Sequence, residues 1–325
     1  MEAAIVVTYR CVNHCVRCHT WKHPSEPGKE LEPALLEKLP RLGFCNVTGG
    51  EPFLREDLHE IIAVVARKAA RVVVSTNGFF TERIVQLAEK FPRLGIRVSL
   101  EGLPAISDEL RGMRDSFDHG LRTLLELTRI KHKDVGFSTT ISDRNAGDML
   151  HLYRLAKGMG WEFATAAVHN SSYFHKTNNR IEDPERVIGC VNELIGELLA
   201  SRHVKDWFRA YVNHGTVLYL EGQPRLLPCP AGRDVFFLDP WGEVYPCNGL
   251  EPDVWQESMG NLHEQDFDTL WNSERARRVR ERVSSCPKNC WMIGTVSPVL
   301  RRNPWPAARW VVAAQLARLF GRRTP

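Results

Sequence analysis

Six short runs rich in β-branched and apolar residues alternate with helix-like stretches through the first two-thirds of this 325-residue chain. The strand candidates are Ala4–Val7, Phe44–Thr48, Val72–Thr76, Arg97–Leu100, Gly136–Ile141 and Phe163–Val168. Between them lie helical patterns near Pro33–Leu39, Asp57–Ala70, Thr81–Lys90, His119–Lys131 and Gly147–Met159, and Pro184–Leu199 follows the last strand. Asp57, Thr81 and the Asp183-Pro184 pair are sound helix starts, since proline suits the first helical turn. Strands separated by helices must run parallel, because each crossover returns the chain to the same end of the sheet. An open doubly wound sheet and a complete or partial barrel both satisfy this pattern.

After about residue 222 the text changes. Gln223–Pro230 is proline-rich, and Asp234–Leu238 with Glu243–Pro246 form a hairpin candidate around the turn Asp239-Pro240-Trp241-Gly242. A charged helix is expected over Gln265–Val283, and Pro304–Arg323 reads as a basic amphipathic helix with Trp305, Trp310 and Phe320. The expected division is residues 1–222, a small α+β unit over 223–298, and a C-terminal helix over 299–325. A unit of that size has a thin core, and a metal would help to hold it.

The nine cysteines fall into two groups and two singles. Cys11, Cys15 and Cys18 form C-x3-C-x2-C directly after the first strand. Three thiolates so close suit an iron–sulfur cube, and three ligands for four irons leave one iron open, the mark of a catalytic centre. The placement agrees, because parallel α/β folds bind ligands at the carboxyl ends of their strands. A zinc site completed by His14, His19 or His23 is the alternative. Cys229, Cys247, Cys286 and Cys290 are four ligands, enough to saturate one closed cube or one zinc ion. Cys190 is in helical register with Val187, Val191 and Leu194 and reads as core. Cys45, in the second strand, also reads as core, with hydrogen donation to a substrate radical as its functional alternative.

The remaining strand ends are polar. Gly49-Gly50-Glu51-Pro52 follows the second strand, where consecutive glycines allow close backbone approach to a ligand and Glu51 can accept from an ammonium. Ser75-Thr76-Asn77-Gly78 and Ser99-Leu100-Glu101-Gly102 end the third and fourth. After the sixth comes a loop dense in donors, acceptors and rings, with His169, Asn170, Tyr173 and His175 as substrate-binding candidates.

With the three-cysteine motif, the glycine-rich turn and six strand–helix units in this order, roughly residues 1–200 resemble the radical S-adenosylmethionine (radical SAM) enzymes. The resemblance implies a partial (β/α)6 TIM-like barrel and a 4Fe–4S cluster on Cys11, Cys15 and Cys18. The open iron would chelate S-adenosylmethionine, whose ammonium also meets Gly49, Gly50, Glu51 and Pro52. Ser75, Asn77, Ser99 and Arg111 stand where relatives contact the ribose or methionine part. Electron transfer from the cluster would release a 5′-deoxyadenosyl radical that abstracts hydrogen from an unactivated carbon. Relatives commonly place a large apolar residue before the third cysteine. Here it is Arg17, whose planar guanidinium can stack on adenine. The spacing Cys229-x12-Gly242-x4-Cys247, then Cys286-x3-Cys290, resembles the SPASM/twitch extension, and its four cysteines imply the shorter form with one auxiliary 4Fe–4S cluster.

A closed auxiliary cluster suits net oxidation, and the favoured expectation is dehydrogenation of a small polar or sugar-like substrate. Epimerisation, peptide modification and a non-enzymatic iron–sulfur or zinc protein are the alternatives. The expected partners are a small-molecule or peptide substrate and a low-potential donor such as flavodoxin or ferredoxin. A net charge of +4 gives no support to nucleic-acid binding through phosphate contacts. No apolar run approaches the roughly 20 residues that cross a bilayer, and the N-terminus has no basic n-region, so a cytoplasmic protein is expected. The tail helix has two readings, docking on its own domain or resting on an anionic membrane surface.

Overall fold

The computed structural model describes residues 1–249 and 257–321. Six strands lie parallel in sequential order: β1 (Glu2–Val6), β2 (Phe44–Thr48), β3 (Val72–Thr76), β4 (Gly95–Ser99), β5 (Val135–Ile141) and β6 (Glu162–Ala167). Each agrees with its sequence-based counterpart to within two residues. The crossovers run through α1 (Leu58–Lys68), α2 (Thr81–Lys90), α3 (Pro104–Arg111), α4 (Ser116–Arg129) and α5 (Met149–Met159). They are followed by α6 (Pro184–Ala200) and α7 (Val204–Leu220). Among the described residues β6 does not pair with β1, so this is the partial barrel and not a closed one. Alternate residues of the strands pack beneath the helices, where Ile5, Cys45, Val47, Val74, Ile96 and Val98 join one core with Ile61, Ile62 and Leu124.

The hairpin forms as expected, with β7 (Val235–Leu238) and β8 (Glu243–Tyr245) antiparallel, and β9 (Gly260–Asn261) adds a third strand. Gly242 at its turn has φ +84°, and a Cβ there would lie 2.8 Å from the His263 ring. The hairpin does not stand apart from the barrel. β7 pairs parallel with β1, from Glu2 opposite Val235 to Ile5 opposite Leu238, and extends the same sheet to nine strands. Its carboxyl end therefore opens on the same edge as those of β1 to β6.

The charged stretch after β9 is two helices, α8 (Phe267–Asn272) and α9 (Glu274–Ser284), because the Ser273 hydroxyl caps a new helix by accepting from the Ala276 N–H at 3.1 Å. Two more follow, α10 (Ile293–Arg302) and α11 (Trp305–Leu319). Arg322 and Arg323, included in the tail-helix reading, lie outside the described residues. No helix among the described residues is long and apolar enough to cross a membrane.

Candidate active site

Beyond β1 the chain stays extended through Val7, Thr8, Tyr9 and Arg10 and runs beside the continuation of β2. Gly50 N donates to Thr8 O and Glu51 N to Arg10 O, each at 2.8 Å. A Cβ on Gly49 would lie 2.5 Å from Thr8 O, and one on Gly50 2.3 Å from Arg10 O. The glycine pair is therefore required by the backbone that delivers Cys11. A buried network below fixes the same segment. Glu30 accepts from the Thr8 and Ser25 hydroxyls at 2.5 Å and pairs with Arg10 at 2.9 Å, while Arg55 donates to Val7 O at 3.0 Å and Leu31 O at 2.9 Å.

The loop bearing the three cysteines is held from several sides. Val16 N donates to Leu110 O of α3 at 3.0 Å, His19 N to Phe174 O at 2.7 Å, and Asn179 Nδ2 to Arg17 O at 3.0 Å. Cys15 is buried, whereas Cys11 and Cys18 are half-buried. Burial pushes the Cys11 thiol up to about 12, with the charge of Cys15 adding to the rise and an N–H and Arg111 opposing it. Cys18 moves the same way for the same reason, against a 2.8 Å contact with the Thr20 hydroxyl. Thiols so placed ionise readily only when a metal replaces their protons.

The turn residues serve partly as scaffold. Glu51 is fully buried and accepts from Thr76 Oγ1 at 2.8 Å, Asn77 N at 2.7 Å and Phe53 N at 3.1 Å, so its carboxylate clamps the end of β3. Burial raises its pKa, and those three donors oppose the rise. Gly49 O accepts from the Tyr173 hydroxyl at 2.8 Å, and Pro52 starts a buried turn. Asn77 Nδ2 donates to Asn13 Oδ1 at 2.5 Å and ties β3 to the cysteine loop. Ser75 donates to Asn46 Oδ1 at 3.0 Å on the face of the sheet opposite the helices, and Ser99 ends β4.

Cys45 takes its core reading, and its alternative as a hydrogen donor is excluded by register. It alternates with Asn46 and so points away from Ser75, into the core between sheet and helices, where it is fully buried. Burial alone pushes its thiol up. It is a core residue, not a hydrogen donor at the strand ends.

Glu101, quoted in the sequence only as part of a strand-end run, is the hub that sequence reasoning missed. It is fully buried, 2.5 Å from Arg17 and 3.6 Å from Arg111, and accepts from Thr140 N at 2.8 Å. Arg111, itself buried, acts electrostatically on both Cys11 and Glu51. Beside Arg17 a cavity of about 150 Å³ opens at the ends of β5 and β6, lined by Val16, Thr140, Ser142, Val168 and Asn179.

The loop after β6 joins the two halves of the site. Ser171 donates to Asn248 O next to Cys247, and Asn170 Oδ1 accepts from Asn179 N at 2.7 Å. His175 stacks on His23 at 4.4 Å and meets Tyr9 edge-on at 5.5 Å. Tyr173 is thus engaged by the Gly49 carbonyl and His175, though exposed, by the His23 and Tyr9 rings, whereas His169 keeps a free function. With Nδ1 on Ala167 O at 3.3 Å, its buried Nε2 has no partner among the described residues, and burial lowers its pKa to about 4. Trp21 Nε1 and Ser172 Oγ, close by in sequence to Cys18 and Tyr173, are also buried without partners among the described residues. Unsatisfied buried polar atoms grouped at one edge mark a place that something polar occupies. Asp239, at the carboxyl end of β7, is raised to about 7 by burial against the N–H groups of Trp241 and Glu243.

The second cysteine group gathers from distant segments. Cys247 lies within the electrostatic reach of Cys229, Cys290 and Cys286, and burial pushes it up to about 12. Arg225 fastens the site by donating to Leu227 O at 2.7 Å, Thr295 O at 3.0 Å and Cys290 O. Among the described residues its guanidinium meets neutral oxygens and the Trp291 ring at 5.5 Å, and the charges that act on it are Cys229, Cys290 and Cys247. A half-buried cation is stabilised by nearby negative charge, and the thiolates of this group are placed to supply it. Neither group is gathered tightly around one point, and no three His, Cys, Asp or Glu among the described residues have the spacing of a single-ion site. A four-iron cube spaces its ligand sulfurs more widely than one ion does, and the thiolate donor set of both groups is the kind such a cube takes.

Residues 5–156 match the radical SAM superfamily, and residues 229–291 match SPASM, an iron–sulfur cluster-binding domain. The chain carries a radical SAM domain followed by a SPASM domain. Its cofactors are 4Fe–4S clusters and S-adenosylmethionine. The chain is similar to the Fe-coproporphyrin III synthase of Methanosarcina barkeri, at 34% identity over 158 residues, which span 46% of this chain and 39% of that protein. It is 27% identical over 298 residues to the mycofactocin maturase MftC of Mycolicibacterium smegmatis, across 86% of this chain and 72% of that one. Streptococcus suis SuiB bound to S-adenosylmethionine shares the fold, with a TM-score of 0.63 at 15% identity over 86% of this chain and 67% of SuiB.

Proposed function

We propose that the chain catalyses a net oxidation of an unactivated carbon in a peptide, with Cys11, Cys15 and Cys18 holding the catalytic cluster and Cys229, Cys247, Cys286 and Cys290 a closed auxiliary one. The observation that carries this reading is the asymmetry of ligand number at the two groups, three beside the strand ends and four in the extension. When bound, the catalytic cluster and S-adenosylmethionine supply a 5′-deoxyadenosyl radical that removes hydrogen from the substrate.

The chain's own residues then bind, orient and shield. The backbone of the Gly49–Pro52 turn takes the ammonium of S-adenosylmethionine while Glu51 keeps that turn in place. Arg111, between Cys11 and Glu51, takes the carboxylate, and Arg17 stacks on the adenine at the mouth of the 150 Å³ cavity. Asn77, Ser75 and Ser99 face the ribose. His169, neutral at physiological pH, offers Nε2 as an acceptor to a substrate N–H or hydroxyl, and Asn170 borders the same loop. Cys229, Cys247, Cys286 and Cys290 would hold a saturated auxiliary cluster beside Arg225, which would supply a one-electron acceptor for a net oxidation.

A peptide is preferred to a sugar because the maturase likeness runs over most of the chain. A tetrapyrrole is the second reading, favoured by the 34% identity to the Fe-coproporphyrin III synthase over 46% of the chain and by 27% identity over 85% of it to the AdoMet-dependent heme synthase of Methanosarcina barkeri. The test is anaerobic incubation of the iron- and sulfide-reconstituted protein with S-adenosylmethionine, dithionite and each substrate class. Formation of 5′-deoxyadenosine together with a peptide product lighter by two hydrogens supports the proposal. A tetrapyrrole product alone moves it to the second reading, and no 5′-deoxyadenosine under any condition contradicts both.

A further inference from the structure

Helix α11 is apolar on two sides. One side docks: Ala307, Val311 and Ala314 are buried, Trp310 stacks on His214 of α7 at 4.7 Å, and Gln315 donates to Leu199 O of α6 at 2.8 Å. The other side faces outward. Trp305 is 71% exposed, Val312 60%, Leu316 49%, Leu319 80% and Phe320 74%. Positions 305, 312, 316 and 319 recur at steps of seven, four and three, which places them in one stripe along the helix. At 1.5 Å per residue the stripe is about 21 Å long. The three most exposed large apolar side chains among the described residues all belong to this side.

Charge identifies what covers the stripe. Residues 301–325 carry six arginines and neither Asp nor Glu. Arg301 and Arg302 pair with Glu2 and Asp234, but among the described residues no carboxylate meets Arg309 or Arg318. A second copy laid against this face would bring like charges together, which opposes a dimer through it. An exposed apolar stripe with a tryptophan at one end, a phenylalanine at the other and Arg309 beside it, in a segment without acids, has the composition of a helix that lies in a membrane interface.

We infer that α11 docks this protein on the surface of an anionic bilayer, with Trp305, Val312, Leu316, Leu319 and Phe320 entering the headgroup boundary and Arg309 meeting lipid phosphates. The buried side of the same helix would hold the barrel against the surface.

The experiment is flotation of the cluster-loaded protein with phosphatidylcholine vesicles and with vesicles containing phosphatidylglycerol, for the native chain and a Leu316→Glu, Leu319→Glu variant. The native chain should float with the anionic vesicles, less so as salt rises, and stay behind with neutral ones. The variant should lose at least tenfold of that association while keeping its circular dichroism and its 5′-deoxyadenosine formation, since both positions lie on the exposed side. Absence of native-chain flotation overturns the inference. So does a native dimer, measured by light scattering, that the variant converts to a monomer while vesicles bind neither.

Discussion

The two cysteine groups occupy opposite kinds of ground. The first lies at the carboxyl edge of the sheet, and its loop is fixed by α3, by the loop after β6 and by the Glu30 and Arg55 network beneath it. The second is drawn from a loop before β7, the end of β8 and the segment after α9, with Cys229 exposed and Arg225 as its main fastening. A site already built by the protein can hold a cluster with an open position, because its ligands stay in place when that position changes occupant. A site built from loops depends on the metal for its own order, and saturating it with four ligands is what gives that order. The first is thus suited to binding a ligand and the second to storing charge.

Four substitutions challenge this contrast, the most damaging first. Cys15→Ala should take iron from about eight to about four per chain, the content of one cube, and bring 5′-deoxyadenosine to background. Iron analysis with product chromatography reads both. Cys247→Ala should leave the barrel intact but expose the extension, seen as rapid hydrogen exchange over 257–300 with protection of β1 to β6 unchanged. Equal loss in both regions would end the distinction. Glu51→Gln replaces an acceptor oxygen by a donor facing Thr76, Asn77 or Phe53. It should cost about 1–3 kcal/mol in denaturant unfolding and raise the KM for S-adenosylmethionine. Arg225→Gln should lower the midpoint potential of the auxiliary cluster alone in an EPR-monitored titration, because a nearby cation favours the reduced, more negative state.

Both groups also share a pH dependence. Cys11 and Cys247 are held near 12 by burial in the metal-free protein, against about 8.5 in an unfolded chain. A folded state that holds its thiols protonated keeps that contribution below the unfolded value and loses it as pH rises toward the folded one. The metal-free protein should therefore lose stability above about pH 8.5, while cluster uptake, which releases the same protons, becomes more favourable. Thermal melts and iron uptake followed from pH 7 to 10 should move in opposite directions.

The six barrel strands are legible in the amino-acid sequence because they are local patterns of apolar and β-branched residues, and the cysteine spacings survive as sites because ligands cluster at strand ends. The pairing of β7 with β1 is not legible there, since nothing near Val235 in sequence says that it will lie beside Glu2. Nor are the buried acids. Glu30 and Glu101 have the usual look of exposed loop residues and become buried only because arginines from distant segments meet them. Cys45 shows the reverse case, a reactive residue type that reads as core in the sequence and that strand register turns into the core. Gln265–Val283 reads as one charged helix until Ser273 is recognised as a cap.

EPR of the dithionite-reduced, fully loaded protein, with and without S-adenosylmethionine labelled at its amino nitrogen and carboxylate, decides which cluster is open. Two cluster signals are predicted, with hyperfine coupling to the label in one of them only, and loss of that coupled signal in Cys15→Ala but not in Cys247→Ala. Coupling to the cluster that vanishes with Cys247, or to neither cluster, would contradict the assignment of an open site to the first group and a closed one to the second.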